Sequence, residues 1–250
     1  MKPTIKYVVL TALRDRLLTS LLIVLLMAFG IAAFMGSTAV AESREMTAVY
    51  AAGASRVILV LGLTVFVAFH VEKLHESREI EALLSRAISR ETLVFSYWVG
   101  VAAVAVLIVG VLSAAVIYIS PSRAGAMFWC ATLLMESLII IAFALASALI
   151  MERAIPAIFA TCAFYALGRL VGFFLSIAVH GRQSGGNSVA NPIFEGIALM
   201  IPRLDLMGQT RWIVYGLDQA ALSIILPVQC LVYSALLLLT AMFDLRRKHF

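Results

Sequence analysis

The chain has 250 residues, 63% of them hydrophobic and 13% charged, about half the charged share of roughly 25% usual in soluble domains. With a mean hydropathy of +1.03, too few polar side chains remain to cover a soluble fold of this size, and the bilayer is the expected solvent. The net charge of +5 reads as a topology signal that implies no nucleic-acid partner, and Cys130, Cys162 and Cys230 lack the paired spacing of a zinc or redox motif.

Along residues 1–16, Ile5, Val8, Val9, Ala12 and Leu13 repeat at helical spacing and lead into Leu17, while Lys6, Thr11, Arg14 and Asp15 fall elsewhere. This pattern predicts an amphipathic helix lying in the headgroup region, with a plain basic flank as the alternative. Six apolar runs follow, at about 17–40, 52–72, 93–119, 126–150, 155–179 and 220–243. Each is long enough to span a bilayer. Helices are expected because lipid-exposed backbone must satisfy its own hydrogen bonds, and the alternation of a membrane barrel is absent. The first run is preceded by basic MKPTIKY and followed by STAVA, which has the form of a signal-peptidase site. At about twenty residues it exceeds the 7–15 of a secretory apolar region, so it reads as a retained span.

Residues 41–51, 120–125 and 151–154 read as short connections. Residues 180–219 form a longer segment, with turns marked by Gly185, Gly186, Asn187 and Pro192. Within it IFEGIALMI is too short to span, which suggests a re-entrant or interfacial piece. Pro227 predicts a kink in the sixth span, and Pro156 opens the fifth where a missing amide matters least. The whole chain thus reads as one all-α, polytopic transmembrane domain with both termini on one side. That side holds twelve of the nineteen Lys and Arg residues, the other side six, with Arg169 inside a span. The excess predicts cytoplasmic termini.

The second joint, on the same side as the termini, holds ESREIEALLSRAISRETL at 76–93. On a helix, Ile80, Leu83, Leu84, Ala87 and Ile88 form one apolar stripe, and Arg78, Glu79, Glu81, Ser85, Arg86 and Arg90 cover the rest. Ser89 suits the N-cap of the following span. Periodicity alone leaves two readings: a partner-facing helix, or a solvated loop helix charged for solubility.

The run EKLHESREIEALLSRAISRETLVFSYWVG resembles the cytoplasmic loop of ABC type-2 exporter permeases, through Glu76, Glu81, Leu83, Leu84, Ser85, Arg86, Ile88, Ser89 and Arg90. Arg78 and Glu79 stand where that pattern has Gly-Thr, and Ala87 where it has Pro. Six spans, the N-terminal helix, the long segment before the last span, IPRLDLMG and the terminal FDLRRKHF are also similar to the family. The resemblance implies a coupling helix at 74–91 that docks on a cytoplasmic ABC ATPase, through Glu76, Glu79, Glu81, Leu83, Leu84, Arg86, Ile88 and Arg90. The chain has no G-x-x-x-x-G-K-[ST] phosphate loop, so ATP and Mg are expected on that separate subunit, with no cofactor on this one. The same resemblance implies a dimer with a second permease copy, export across a bacterial inner membrane, and a route lined by spans one, two and five. An extracytoplasmic partner is a further option.

Two charges fall within spans, Glu136 in the fourth and Arg169 in the fifth. Charges at membrane depth face the protein interior or a cavity. Each lies ten residues from the outer end of its span, so the two can pair, as a structural ion pair or as part of a substrate or proton path. The second use defines the rival reading, a secondary carrier built on Glu136 and Arg169. Gly168 and Gly172 form a G-x-x-x-G face expected to pack against a neighbouring helix or across the dimer. His70 and His75 lie near Glu72, Glu76 and Glu79, yet no paired His or Cys motif supports a metal. No nucleophile–base–acid set emerges, so no catalytic residue is expected. Arg182, Arg203, Asp205 and Trp212 of the long segment are read as surface-folding residues, with contact to substrate or an extracytoplasmic partner as the alternative.

Overall fold

Asp15 separates the first two helices. It sits in extended backbone between α1 (Lys2–Arg14) and α2 (Arg16–Ser37), and its carboxylate accepts the Leu17 amide at 3.0 Å, as a helix N-cap should. The computed structural model describes residues 2–39, 42–77, 89–183, 196, 200–217 and 224–247. Among these every regular element is helical, and the protein is an all-α polytopic membrane protein with six helices long and apolar enough to cross a bilayer.

The amphipathic stripe of α1 buries Val8 and Ala12 completely, with α1 packed on α4 (Arg90–Ile119). Gly100 leaves the space on α4 that Val8 fills. The second spanning helix, α3, runs from Ser43 to Glu76, 34 residues or about 51 Å. The expected connection at 41–51 is therefore mostly helix. Its alanines explain this: they are strong helix formers, and Ala48, Ala51 and Ala52 are buried, with α2 as the main neighbour of α3.

Ser89 caps α4 by accepting the Thr92 amide at 3.2 Å, and Ser122 caps α5 (Arg123–Met151) by accepting from Gly125 at 3.3 Å. Glu152, in left-handed backbone, and Arg153 then reverse the chain into α6 (Ala154–Gln183). The first amide of α6 donates to Glu72 Oε1 of α3 at 3.1 Å, so three helices are joined at this end. A 3-10 turn (Leu204–Leu206) and a short α7 (Arg211–Tyr215) precede α8 (Ile225–Arg247). Pro227 falls in the first turn of α8, where no intrahelical bond is lost, so it opens the helix and does not kink it.

The hub is α5, which packs against α3, α4, α6, α7 and α8. Its most apolar stretch is 72% buried, against 17% for α6. One apolar cluster joins α1 through α5 around Phe66, Leu133 and Trp129. A second, smaller one joins Val60 of α3, Ile139 and Ile140 of α5 and Cys230 of α8 to Leu204 and Met207. That second cluster brings the segment before the last span into the bundle.

Candidate functional site

Glu136 and Arg169 are each fifteen residues from the tight α5–α6 reversal, counted from Met151 and Ala154, or roughly 22 Å along each helix. Equal distances on antiparallel neighbours put them face to face. Arg169 Nη1 lies 3.7 Å from Glu136 Oε1, with the carboxylate side chain 0% exposed and the arginine 22%. The pairing expected from sequence is present.

A third charge completes the group. Arg56 of α3 approaches from the opposite wall, and it and Tyr165 of α6 lie beside the same carboxylate. Two guanidinium groups thus share one carboxylate, an unbalanced arrangement unless other acceptors are near. Backbone carbonyls fill that need. Arg169 Nη1 donates to the carbonyls of Leu204 at 2.6 Å and Met207 at 2.8 Å. Arg56 Nη1 donates to the Gly208 carbonyl at 2.6 Å.

The segment from Pro202 to Ile213 is therefore re-entrant. It descends beside α5, so that Gly208 meets the level of Thr132 and Glu136 and Trp212 stays near Gly125. Leu204, Met207, Trp212 and Ile213 are all buried. Lipid-depth backbone of this kind survives only if its polar groups are paired, and those of Leu204, Met207 and Gly208 are. Besides the arginine bonds, Trp129 Nε1 donates to the Gly208 carbonyl at 3.1 Å, and the Gly208 amide donates to Thr132 Oγ1 at 3.1 Å. Gly208 has φ +57°, and an added Cβ would lie 3.1 Å from Glu136 Oε2. Glycine alone meets both the left-handed turn and the close approach. Arg203 pairs with Asp205 at 3.0 Å within the segment.

Gly168 and Gly172 have a use other than the expected helix–helix contact. A Cβ on Gly168 would lie 2.8 Å from Leu204 Cδ1 and 3.1 Å from the Pro202 carbonyl, and one on Gly172 would strike Asp205. Among the described residues the G-x-x-x-G face receives the re-entrant segment. Close approach of backbone is still the physical reason. Trp212, read from sequence as a surface residue, is buried in the plug edge-on against Phe128 of α5, and Asp205 is partly buried against Gly172.

At the other end of the bundle, Glu76 is the exposed last residue of α3 and Arg90 the first of α4. Arg90 Nη1 donates to the last carbonyls of α8, Leu245 at 2.7 Å and Arg246 at 3.2 Å, and Glu91 pairs with Arg246. Glu79, Glu81, Leu83, Leu84, Arg86 and Ile88 lie outside the described residues. His70 stacks on Phe66 with ring centroids 5.6 Å apart, and His75 Nδ1 lies 2.9 Å from the Val71 carbonyl. Among the described residues no three His, Cys, Asp or Glu side chains are grouped to hold a metal ion.

Arg56, Trp129, Thr132, Tyr165 and Gly208 were not singled out by sequence reasoning. Arg56 had a signal, a charge in an otherwise apolar run, but the run's boundary at residue 52 made it look peripheral. Compared with models of known protein families and with curated proteins, the chain has no match.

Proposed function

We propose that this chain is the membrane subunit of an ATP-driven exporter, energised by a separate ABC ATPase that carries ATP and Mg. The observation that supports this most is mechanical. The charged, apolar-striped stretch at 77–89 is flanked by helical ends on both sides, since α3 reaches Glu76 and α4 starts at Arg90. Arg90 and Glu91 also hold the end of α8. A force applied between these two ends acts directly on α3 and α4, and through Arg90 and Glu91 on α8. A partner-facing helix needs apolar anchors with a charged rim, and Leu83, Leu84 and Ile88 with Glu79, Glu81, Arg86 and Arg90 supply that set. Cytoplasmic termini, a bacterial inner membrane and pairing with a second copy complete the reading.

The test is co-purification. An ABC ATPase should elute with the chain from detergent extracts of its source, and Leu83→Asp or Leu84→Asp should abolish co-elution while the membrane subunit still extracts normally. Transport that persists without any ATPase and follows an ion gradient would sink the proposal in favour of a carrier using Glu136 and Arg169. The direct engagement of Arg169 by the Leu204 and Met207 carbonyls weighs against that rival, because the guanidinium is already committed to the plug.

A further inference from the structure

At the end of the bundle opposite both termini, α3, α4 and α5 leave an open recess of about 780 Å³, lined by Arg44, Ala114, Ile117, Tyr118, Arg123 and Met127 among others. This end carries the smaller share of basic residues, six of nineteen, so an arginine pair there runs against the general trend. Of the other arginines at this end, Arg56 lies against Gly208 and Glu136, Arg203 pairs with Asp205, Arg211 also has a partner, and the Arg182 side chain lies outside those described. Arg44 and Arg123 differ. Neither pairs with a carboxylate among the described residues, and no described carboxylate lines the recess.

Arg44 is nonetheless held in place. Its Nε and Nη2 donate to the carbonyls of Ile119 at 2.9 Å and Tyr118 at 3.3 Å, the end of α4. Arg123 stands in the first turn of α5, which has no acidic residue. A cation in that position is repelled by the helix dipole, and a bound anion relieves the repulsion. Below the arginines the recess is apolar. Ala114 lies five residues back from the end of α4 and Met127 four residues into α5, which is roughly 6–8 Å toward the bilayer centre. Both, with Tyr118, are exposed.

A cationic rim, anchored at Arg44, over an apolar wall matches one chemistry, a phosphate joined to hydrocarbon. We propose that this recess binds an anionic phospholipid, its phosphate between Arg44 and Arg123 and its acyl chain along Ala114, Ile117 and Met127. A free phosphate offers the rim its charge but leaves the wall unused. The proposal does not depend on the exporter reading, since it uses neither the ATPase nor transport.

The purified full chain, in a non-ionic detergent, is titrated with phosphatidylglycerol, phosphatidylcholine and inorganic phosphate, and bound species are counted by native mass spectrometry. One phosphatidylglycerol should bind in preference to phosphatidylcholine, and inorganic phosphate should not displace it at equal concentration. Each arginine near a membrane surface contributes about fivefold in affinity. Arg123→Gln should therefore weaken phosphatidylglycerol about fivefold and Arg44→Gln/Arg123→Gln roughly thirtyfold, with Arg123→Lys close to wild type. The Arg123 side chain makes no hydrogen bond among the described residues, so R123Q should keep wild-type helix content by circular dichroism. If R123Q does not fold, Ala114→Trp, which fills the apolar wall, must lower lipid binding with the arginines intact. Equal binding of both lipids, an R123Q indistinguishable from wild type, or displacement by inorganic phosphate would each overturn the assignment.

Discussion

Removing the charge of Glu136 while keeping its shape, as Glu136→Gln, isolates the ion pair beneath the re-entrant segment. At 3.7 Å and an effective dielectric constant of about 20, the attraction to Arg169 is roughly 4.5 kcal/mol before desolvation. The carboxylate is fully buried and the arginine retains some water, so the net cost belongs near the lower end of the ~3–5 kcal/mol seen when one partner of a buried pair is lost. About 3 kcal/mol is expected. Arg169→Met loses the same pair and also the bonds to Leu204 and Met207, each worth about 1.5 kcal/mol at the low end for a charged donor. It should cost about 6 kcal/mol. The double variant has no pair left to break twice, so it should cost little more than Arg169→Met alone, a coupling of about 3 kcal/mol. Unfolding by titration with sodium dodecyl sulfate, followed through tryptophan fluorescence, measures this cycle, since Trp129 borders the segment and Trp212 lies within it. Additive single-variant costs, within about 0.5 kcal/mol, would refute the claim that Glu136 and Arg169 act as a pair.

Gly125→Val places a side chain against the Trp212 carbonyl. The overpacking should cost about 1–3 kcal/mol and expose Trp212, read as a red shift of emission and new trypsin cleavage after Arg211. Ser89→Ala removes the cap of α4 and should lower stability by about 1 kcal/mol in the same titration. Arg90→Met breaks the ties to α8. If the exporter reading holds, the anchors Leu83, Leu84 and Ile88 should keep this variant co-eluting with its ATPase, Arg90 being a rim residue, while it moves less cargo per ATP; unchanged coupling would show that the tie to α8 carries no force.

The spans were legible because a bilayer sets one length and one composition, and helices are the only lone elements that satisfy it. The start of α3 was not, since Ser43–Ala54 is held by alanines that pack on α2 and not by hydropathy. The Glu136–Arg169 pair could be read from equal distances to the α5–α6 reversal. Its third member could not, because Arg56 reaches the pair from a helix eighty residues earlier. IPRLDLMG stood out as a distinctive stretch, yet nothing in it announces burial. Its polar backbone is satisfied by Arg56, Trp129, Thr132 and Arg169 together, and no local pattern encodes four donors and acceptors from three helices.

The bond from Glu72 to the first amide of α6 makes α3 a lever. Glu72 is its fulcrum, and Arg56 stands sixteen residues away, about 24 Å along the helix. A tilt of about 5° about that fulcrum moves the Arg56 end by ~2 Å, and the 2.6 Å bond to Gly208 then exceeds the ~3.2 Å reach of a hydrogen bond. Arg169, on α6, stays with its own carbonyls through the same tilt. Trp129 and Thr132 of α5 also keep their bonds to Gly208, so a tilt of α3 removes one of four ties and loosens the plug on its α3 side while the α5 and α6 sides still hold it.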